Sequence, residues 1–154
     1  MDAKLINPFV DAFTTVMSML GFPEPTRTKL YAASNRVKSL GVSMLVGFTK
    51  QIRGNVVYNL SEDTAKFIAS QMMMGMPVET FDEMAQSAIS ELSNMLTAHT
   101  ATNITGLGLD VDISTPSLSV GKDFDVKISD GQYLIVEMNL DGQLVDLAIA
   151  VDQN

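Results

Sequence analysis

The sequence contains no cysteine, no tryptophan and a single histidine. Without cysteine there can be no disulfide scaffold, no thiol nucleophile and no cysteine-based zinc or iron–sulfur site. One imidazole, at His99, cannot build a histidine-rich metal site, and a Ser–His–Asp triad would have to use that residue. These absences argue against thiol enzymes and against enzymes that hold a zinc ion of their own.

Positive charge and long apolar segments are also scarce. Ten Lys and Arg against 18 Asp and Glu give a net charge of −8, which argues against nucleic acid and anionic membranes as partners. The apolar runs are too short to span a bilayer, and the N-terminus shows no secretory signal. With 154 residues, 46% of them hydrophobic, we expect one globular domain over residues 1–154 and a cytoplasmic location.

The basic residues are concentrated in one acid-free stretch, from Pro25 to Ser61. It contains Arg27, Lys29, Arg36, Lys38, Lys50 and Arg53. Two interpretations are open: charged strand edges that discourage aggregation, or a basic rim that meets an acidic protein partner.

Apolar residues spaced three and four apart predict a first helix over Ala3–Leu20 and a long third helix over Asp82–Asn103. Between them, Ser61 is a plausible N-cap for a second helix that ends near Gly75.

Short segments rich in β-forming residues predict the strands, and turn residues predict how they connect. Polar residues ending in Gly54 join the first two strands into a hairpin, and Asp141-Gly142 joins the last two. The strands are Val42–Phe48, Asn55–Leu60, Leu109–Ser114, Phe124–Ile128, Tyr133–Leu140 and Leu144–Val151. This order predicts an α+β fold in which three helices cover an antiparallel sheet. The final strand, left bare, could pair with another chain.

The third helix has an apolar side and a second, sparsely charged stripe. The apolar side contains Ala85, Ala88, Ile89, Leu92, Met95, Leu96 and His99. The stripe contains Ser87, Glu91, Asn94, Ala98 and Ala101. An ordinary solvated face would carry several Lys, Glu and Arg, whereas this stripe has one acid, one amide and small residues that permit close approach.

Glu91 and Asn94 lie one turn apart on this stripe. Asn offers both a donor and an acceptor, so it can hold a water without taking its proton, and Glu can pair with a Lys or Arg of a docked protein. Aligning a water for attack on a phosphoryl group needs little more, because that transition state demands alignment and charge compensation. The phosphoryl group would have to arrive with its own magnesium site. By itself, however, a Glu-x-x-Asn pair is common on helix surfaces.

Residues Ser87 to Asn94 also resemble the Asp/Ser-x-x-x-Glu-x-x-Asn motif of the CheX/CheC/FliY phosphatases of bacterial chemotaxis. Three further segments, 54–65, 71–76 and 112–121, resemble the family in the same order. The resemblance extends from about Val42 to Asp123 and is strongest to CheX, because only one copy of the motif is present. A Gly commonly precedes the Asn in CheX proteins; Ser93 replaces it here, where it should not block the helix face but could alter how closely a partner packs.

The resemblance implies a phosphatase acting on a phosphorylated response regulator, CheY or a relative. Asn94 would orient the attacking water, and Glu91 would pair with the regulator's active-site Lys. Ser87, Ala98 and Ala101 would form the surface against which the regulator docks. The Mg²⁺ would belong to the regulator, so the chain would need no cofactor or metal ligand of its own. CheX proteins are also homodimers that join their sheets.

Two other functions remain open. A non-catalytic adaptor could bind a response regulator or a flagellar switch component through the same helix without changing the dephosphorylation rate. A small-ligand sensor would need a concave apolar pocket. We expect His99 to be packed and hydrogen-bonded, and Met72, Met73, Met74 and Met76 to fill the core and the helix end rather than form a pliable binding surface.

Overall fold

The structure, a computed structural model, describes residues 3–154 and contains three α-helices and seven strands. A short 3-10 turn, Ala3–Leu5, precedes the first helix. The helices are α1 (Asn7–Met19), α2 (Glu62–Met72) and α3 (Glu83–Gly106). The strands are β1 (Thr26–Lys38), β2 (Gly41–Lys50), β3 (Ile52–Ser61), β4 (Val111–Ile113), β5 (Ser117–Gly121), β6 (Asp125–Leu140) and β7 (Gln143–Gln153). The predicted α+β class is confirmed.

All strands belong to one antiparallel sheet in the order β1-β6-β7-β3-β2-β4, with β5 also paired to β2. The predicted Asp141-Gly142 hairpin joins β6 to β7: both residues have positive φ, and Leu140 pairs with Gln143 across the turn. The hairpin of β2 and β3 is also as predicted.

The predicted starts of α2 and α3 are confirmed by their caps. The Ser61 hydroxyl accepts a hydrogen bond from the Thr64 backbone N–H at 3.1 Å. The Asp82 carboxylate accepts one from the Ala85 N–H at 3.0 Å. Each cap satisfies a backbone donor that the first helical turn leaves unpaired, and so fixes where the helix begins.

The main core lies between the helices and one face of the sheet. Phe9 of α1 packs edge-on against Phe48 of β2, with ring centroids 5.4 Å apart. Ile89, Leu92 and Leu96 of α3 are fully buried in the same cluster. These contacts hold α3 against the sheet, so only its outer stripe faces solvent.

The opposite face of the sheet has a second, smaller core, which the ends of β1 and β6 cover. From β3, the Asn55 amide donates to the Ile128 carbonyl at 3.0 Å, and the Asn59 amide donates to the Lys38 carbonyl at 2.8 Å. Because β3 is adjacent to neither β1 nor β6, these bonds show that the two strand ends fold across the sheet. Val57 is among the residues buried beneath them.

Several strand predictions are wrong because they depended on long-range pairing. The final strand, expected over Leu144–Val151, is not an edge: β7 lies between β3 and β6 and is paired on both sides. The segments Phe124–Ile128 and Tyr133–Leu140 form one long strand, β6. The strand β5, which has few β-branched residues, was not predicted at all.

The acid-free basic stretch lies on β1, β2 and β3, and four of its six basic residues are on β1, at the edge of the sheet. Arg36 forms an ion pair with Asp125, and Lys50 lies 3.3 Å from Asp110 and 3.5 Å from Asp112. Basic side chains therefore line one edge of the sheet, and Arg36 and Lys50 pair with acidic residues of the same chain.

We expect Tyr58→Phe to leave the free energy of unfolding unchanged or to raise it by about 1 kcal/mol. Tyr58 is fully buried, and its hydroxyl meets hydrogen-bond geometry with no residue of the described chain. Burial raises the pKa of this phenol, and the nearby Thr100 hydroxyl offsets the rise only in part. Removing an unsatisfied buried hydroxyl removes its desolvation cost.

The matched control is Tyr133→Phe, whose hydroxyl donates to the Arg36 carbonyl at 2.7 Å. This variant should lose about 1 kcal/mol, because the acceptor is left unpaired. Urea titration monitored by circular dichroism measures both variants. A loss of more than 1 kcal/mol in Tyr58→Phe would show that its hydroxyl is satisfied in the folded protein.

Candidate functional site

The polar stripe of α3 faces solvent along the outer surface of the helix layer. Ser87, Glu91, Asn94 and Ala98 are exposed, and Ala101 is half-buried. The apolar side of the helix is turned to the sheet. The structure therefore places all five predicted site residues on one helix surface.

An open groove of about 500 Å³ follows part of this stripe. Three of the predicted residues, Ser87, Glu91 and Asn94, line it. Ala98 and Ala101 lie further along α3, outside the groove. The acid and the amide thus share one concave surface, and the small residues continue the helix face beyond it.

Sequence reasoning missed four residues that also line the groove: Glu83, Gln86, Ser90 and Leu118. Glu83 and Ser90 could have been found, because the spacing 83, 87, 90, 94 repeats every three or four residues along one helix surface. Leu118 could not, because β5 reaches the groove only through its pairing with β2.

Glu91 and Asn94 are available for a partner. Neither side chain makes a hydrogen bond or ion pair with another residue between 3 and 154. Among the residues that line the groove, Glu83 and Glu91 are acidic and none is basic. The groove therefore offers an unpaired carboxylate and an unpaired amide to a molecule that brings positive charge.

The inward side of α3, opposite the exposed stripe, carries three buried hydroxyl groups. Ser93, Thr97 and Thr100 are buried, and each hydroxyl donates to a carbonyl of the preceding turn, at 3.1, 2.6 and 2.8 Å. Position 93 is two residues from Glu91, about 200° around the helix, so its side chain turns inward. Ser93 therefore does not block the exposed stripe, as expected, and an effect on how closely a partner packs stays a prediction.

Two further expectations concern residues outside the groove. His99 is half-buried and its imidazole makes no hydrogen bond with any residue in the described part of the chain, so the side chain is packed but not hydrogen-bonded. Met72 packs against the core as expected, whereas Met74 and Met76 are exposed because the turn after α2 runs out into solvent.

A larger open cavity of about 620 Å³ lies where the start of α1 meets the end of α3. Polar side chains, including Asn7, Asp11 and Asn103, share its lining with Leu5 and Leu109. This is not the enclosed apolar pocket that a small-ligand sensor would need.

The electrostatic environment of Asp146 is also perturbed, on the sheet face away from the helices. Burial, and next the charge of Glu137, raise the pKa of the Asp146 carboxyl to about 6, while Lys29 lowers it. Val145 and Leu147, its chain neighbours, belong to the helix-side core, so Asp146 points to the opposite face and takes no part in the groove.

The arrangement suits positioning chemistry better than bond-making by the protein itself. An amide can orient a water through two contacts, and a carboxylate one turn away can hold a cationic group. Among residues 3–154, no group of three or more His, Asp or Glu side chains is placed to hold a metal ion. In the same part of the chain, no helix has the length and apolar character needed to cross a membrane.

Comparison with known proteins gives consistent matches. Residues 42–139 match the family model described as chemotaxis phosphatase CheX. The CheY-P phosphatase CheX of Thermotoga maritima is 34% identical over 128 residues, which cover 82% of each chain.

Solved structures agree with this assignment. A CheC-like superfamily protein from Shewanella sp. PV-4 has a TM-score of 0.86 and 25% identity, covering 99% of each chain. The CheX–CheY–BeF₃–Mg²⁺ complex from Borrelia burgdorferi contains a chain with a TM-score of 0.80 and 26% identity, covering 96% of this chain and 97% of the other. The resemblance inferred from the motif is confirmed: the chain belongs to the CheX family of chemotaxis phosphatases.

Proposed function

We propose that this protein hydrolyses the aspartyl phosphate of a CheY-like response regulator, with Asn94 and Glu91 as its working residues. The observation that carries the proposal is that these two side chains are exposed in one groove and free of partners within the described residues. The relative from Thermotoga maritima is named as a phosphatase of phosphorylated CheY.

In this mechanism Asn94 aligns a water with the phosphorus atom. The water oxygen forms a new bond to phosphorus, and the bond from phosphorus to the regulator's aspartyl oxygen breaks. The products are inorganic phosphate, which keeps the protons of the water, and the free aspartate carboxylate. The amide takes no proton. It lowers the barrier by holding the water in line, because the entropy of orienting the water is then lost before the transition state rather than in it.

Glu91 holds the complex in register by pairing with a Lys of the regulator. The groove contains no basic residue that would compete for this carboxylate. Ser87, Ala98 and Ala101 provide the surface on which the regulator rests, and the methyl groups of the two alanines let its backbone come close.

The Mg²⁺ of the reaction belongs to the regulator, and the chain contributes no cofactor. The Borrelia burgdorferi complex contains CheX, CheY, BeF₃ and Mg²⁺. We place the protein in the cytoplasm, where a chemotaxis response regulator would meet it, and treat residues 1–154 as one phosphatase domain.

Turnover tests this function against the adaptor alternative. Phosphorylated regulators of the same organism are mixed with substoichiometric protein, and phosphate release is followed. A phosphatase releases many phosphates per protein molecule. An adaptor binds the BeF₃-activated regulator but leaves phosphate release at the regulator's own rate.

We also propose a twofold homodimer in which the sheets of two chains join through β1, because β7 is not at an edge. This strand pairs with β6 on one side, and its other side has no strand partner within residues 3–154. It is 13 residues long and exposes Leu30 and Tyr31. A bare edge of this length is a hazard unless another chain covers it.

Light scattering at micromolar concentration should give twice the mass of one chain. Leu30→Lys should return the mass to that of one chain, because a lysine on an edge strand opposes pairing. A wild-type protein with the mass of one chain would contradict the proposed dimer.

A further inference from the structure

The polar stripe of α3 continues toward the start of the helix with an exposed methionine. Met84 lies three residues before Ser87, so the positions 84, 87, 91, 94 and 98 follow one helix surface. Its side chain is 61% exposed. A large apolar side chain on a stripe that otherwise carries small and polar residues has no role in the core of the protein.

The position of Met84 is fixed by the helix start. The Asp82 cap and its bond to the Ala85 N–H hold the first turn in place. The backbone of Met84 is therefore ordered, while its unbranched side chain remains able to adapt to the shape of a partner.

We propose that Met84 is a docking residue that contacts an apolar patch of the response regulator, beside the site where the phosphoryl group is bound. This inference rests on the proposed function, because it requires the regulator to be seated over Glu91 and Asn94. It adds a contact that sets affinity and choice of regulator, and it assigns Met84 no part in the chemical step.

The size of an ordinary protein interface supports a docking role for Met84. At 1.5 Å of rise per residue, Met84 lies about 10 Å along the helix from Glu91 and about 15 Å from Asn94. A protein interface of standard size covers about 800 Å² per partner, a disc of roughly 16 Å radius. A regulator centred on Glu91 and Asn94 therefore covers Met84 and removes its side chain from water.

The chain offers a matched control at the other end of the same helix. Leu107, the residue that follows α3, is 59% exposed, nearly the same fraction as Met84. It lies about 20 Å from Asn94 in the opposite direction, beyond the disc.

The experiment measures KM and kcat for a phosphorylated regulator with wild type, Met84→Gln, Met84→Leu and Leu107→Gln. Binding to the BeF₃-activated regulator is measured beside them. Gln keeps the length and helix preference of Met but cannot gain from apolar burial. We expect Met84→Gln to raise KM and Kd roughly tenfold with kcat unchanged. Met84→Leu and Leu107→Gln should stay within about twofold of wild type.

Asn94→Ala, measured in parallel, separates the docking role of Met84 from the phosphatase function. If Asn94→Ala lowers kcat but Met84→Gln leaves KM and Kd unchanged, the docking role of Met84 is wrong and the phosphatase function stands. If Asn94→Ala has no effect, the proposed function itself fails. Equal weakening by Met84→Gln and Leu107→Gln would also overturn the inference, since the effect would then not depend on the stripe.

Discussion

Asn94→Ala should lower the rate of phosphate release by about 100-fold or more while the protein stays folded. A loss of that size corresponds to about 2.7 kcal/mol of transition-state stabilisation. The Asn94 side chain is exposed and makes no hydrogen bond within the described residues, so its removal leaves no buried group unpaired. Alanine also favours the helix, and the effect therefore falls on catalysis.

Steady-state phosphate release under multiple turnover measures this effect. Thr105→Ala is the control, because Thr105 is an exposed residue of α3 outside the groove. It should release phosphate at the wild-type rate. If Asn94→Ala also releases phosphate at the wild-type rate, Asn94 does not position the attacking water.

Ala98→Arg should abolish activity by preventing the regulator from docking. Ala98 lies one turn beyond Asn94 on the same exposed stripe, outside the groove that holds Glu91 and Asn94. An arginine there stands where the regulator's backbone must come close, yet it leaves the working side chains in place. Arginine is a good helix former, so stability should change little.

The loss should appear in binding. We expect the affinity for a BeF₃-activated regulator to fall by at least 100-fold, with kcat/KM falling in parallel. Ala98→Ser, a small change at the same position, should bind within a few-fold of wild type. If Ala98→Arg binds and turns over as wild type does, this surface of α3 is not where the regulator docks.

Local signals in the sequence predicted the helices and the site. Ser61 and Asp82 begin α2 and α3 because their side chains satisfy local backbone donors, a property visible within four residues of chain. The stripe that contains Glu91 and Asn94 follows from helical spacing alone once α3 is assigned. The roles of these two residues came from the family motif, since an acid and an amide one turn apart are common on helix surfaces.

The strand order and the residues that β5 brings to the groove depend on distant parts of the chain, so local patterns could not predict them. Residues Leu147 to Val151 of β7 are apolar on both faces, which is typical of an interior strand as well as of an edge that meets another chain. Its place between β3 and β6 is decided by pairing across the whole sheet. Leu118 reaches the groove for the same reason, because β5 is positioned by β2.

A single-turnover experiment tests the central claim most directly. A phosphorylated regulator is mixed with saturating amounts of wild type or Asn94→Ala, and the first-order decay of the aspartyl phosphate is followed. Saturation removes differences in docking and isolates the positioning of the water. We predict that wild type strongly accelerates the loss of the aspartyl phosphate. With Asn94→Ala bound equally well, the aspartyl phosphate should decay about 100-fold more slowly than with wild type. Equal rates with the two proteins, or no acceleration by wild type, would contradict the account.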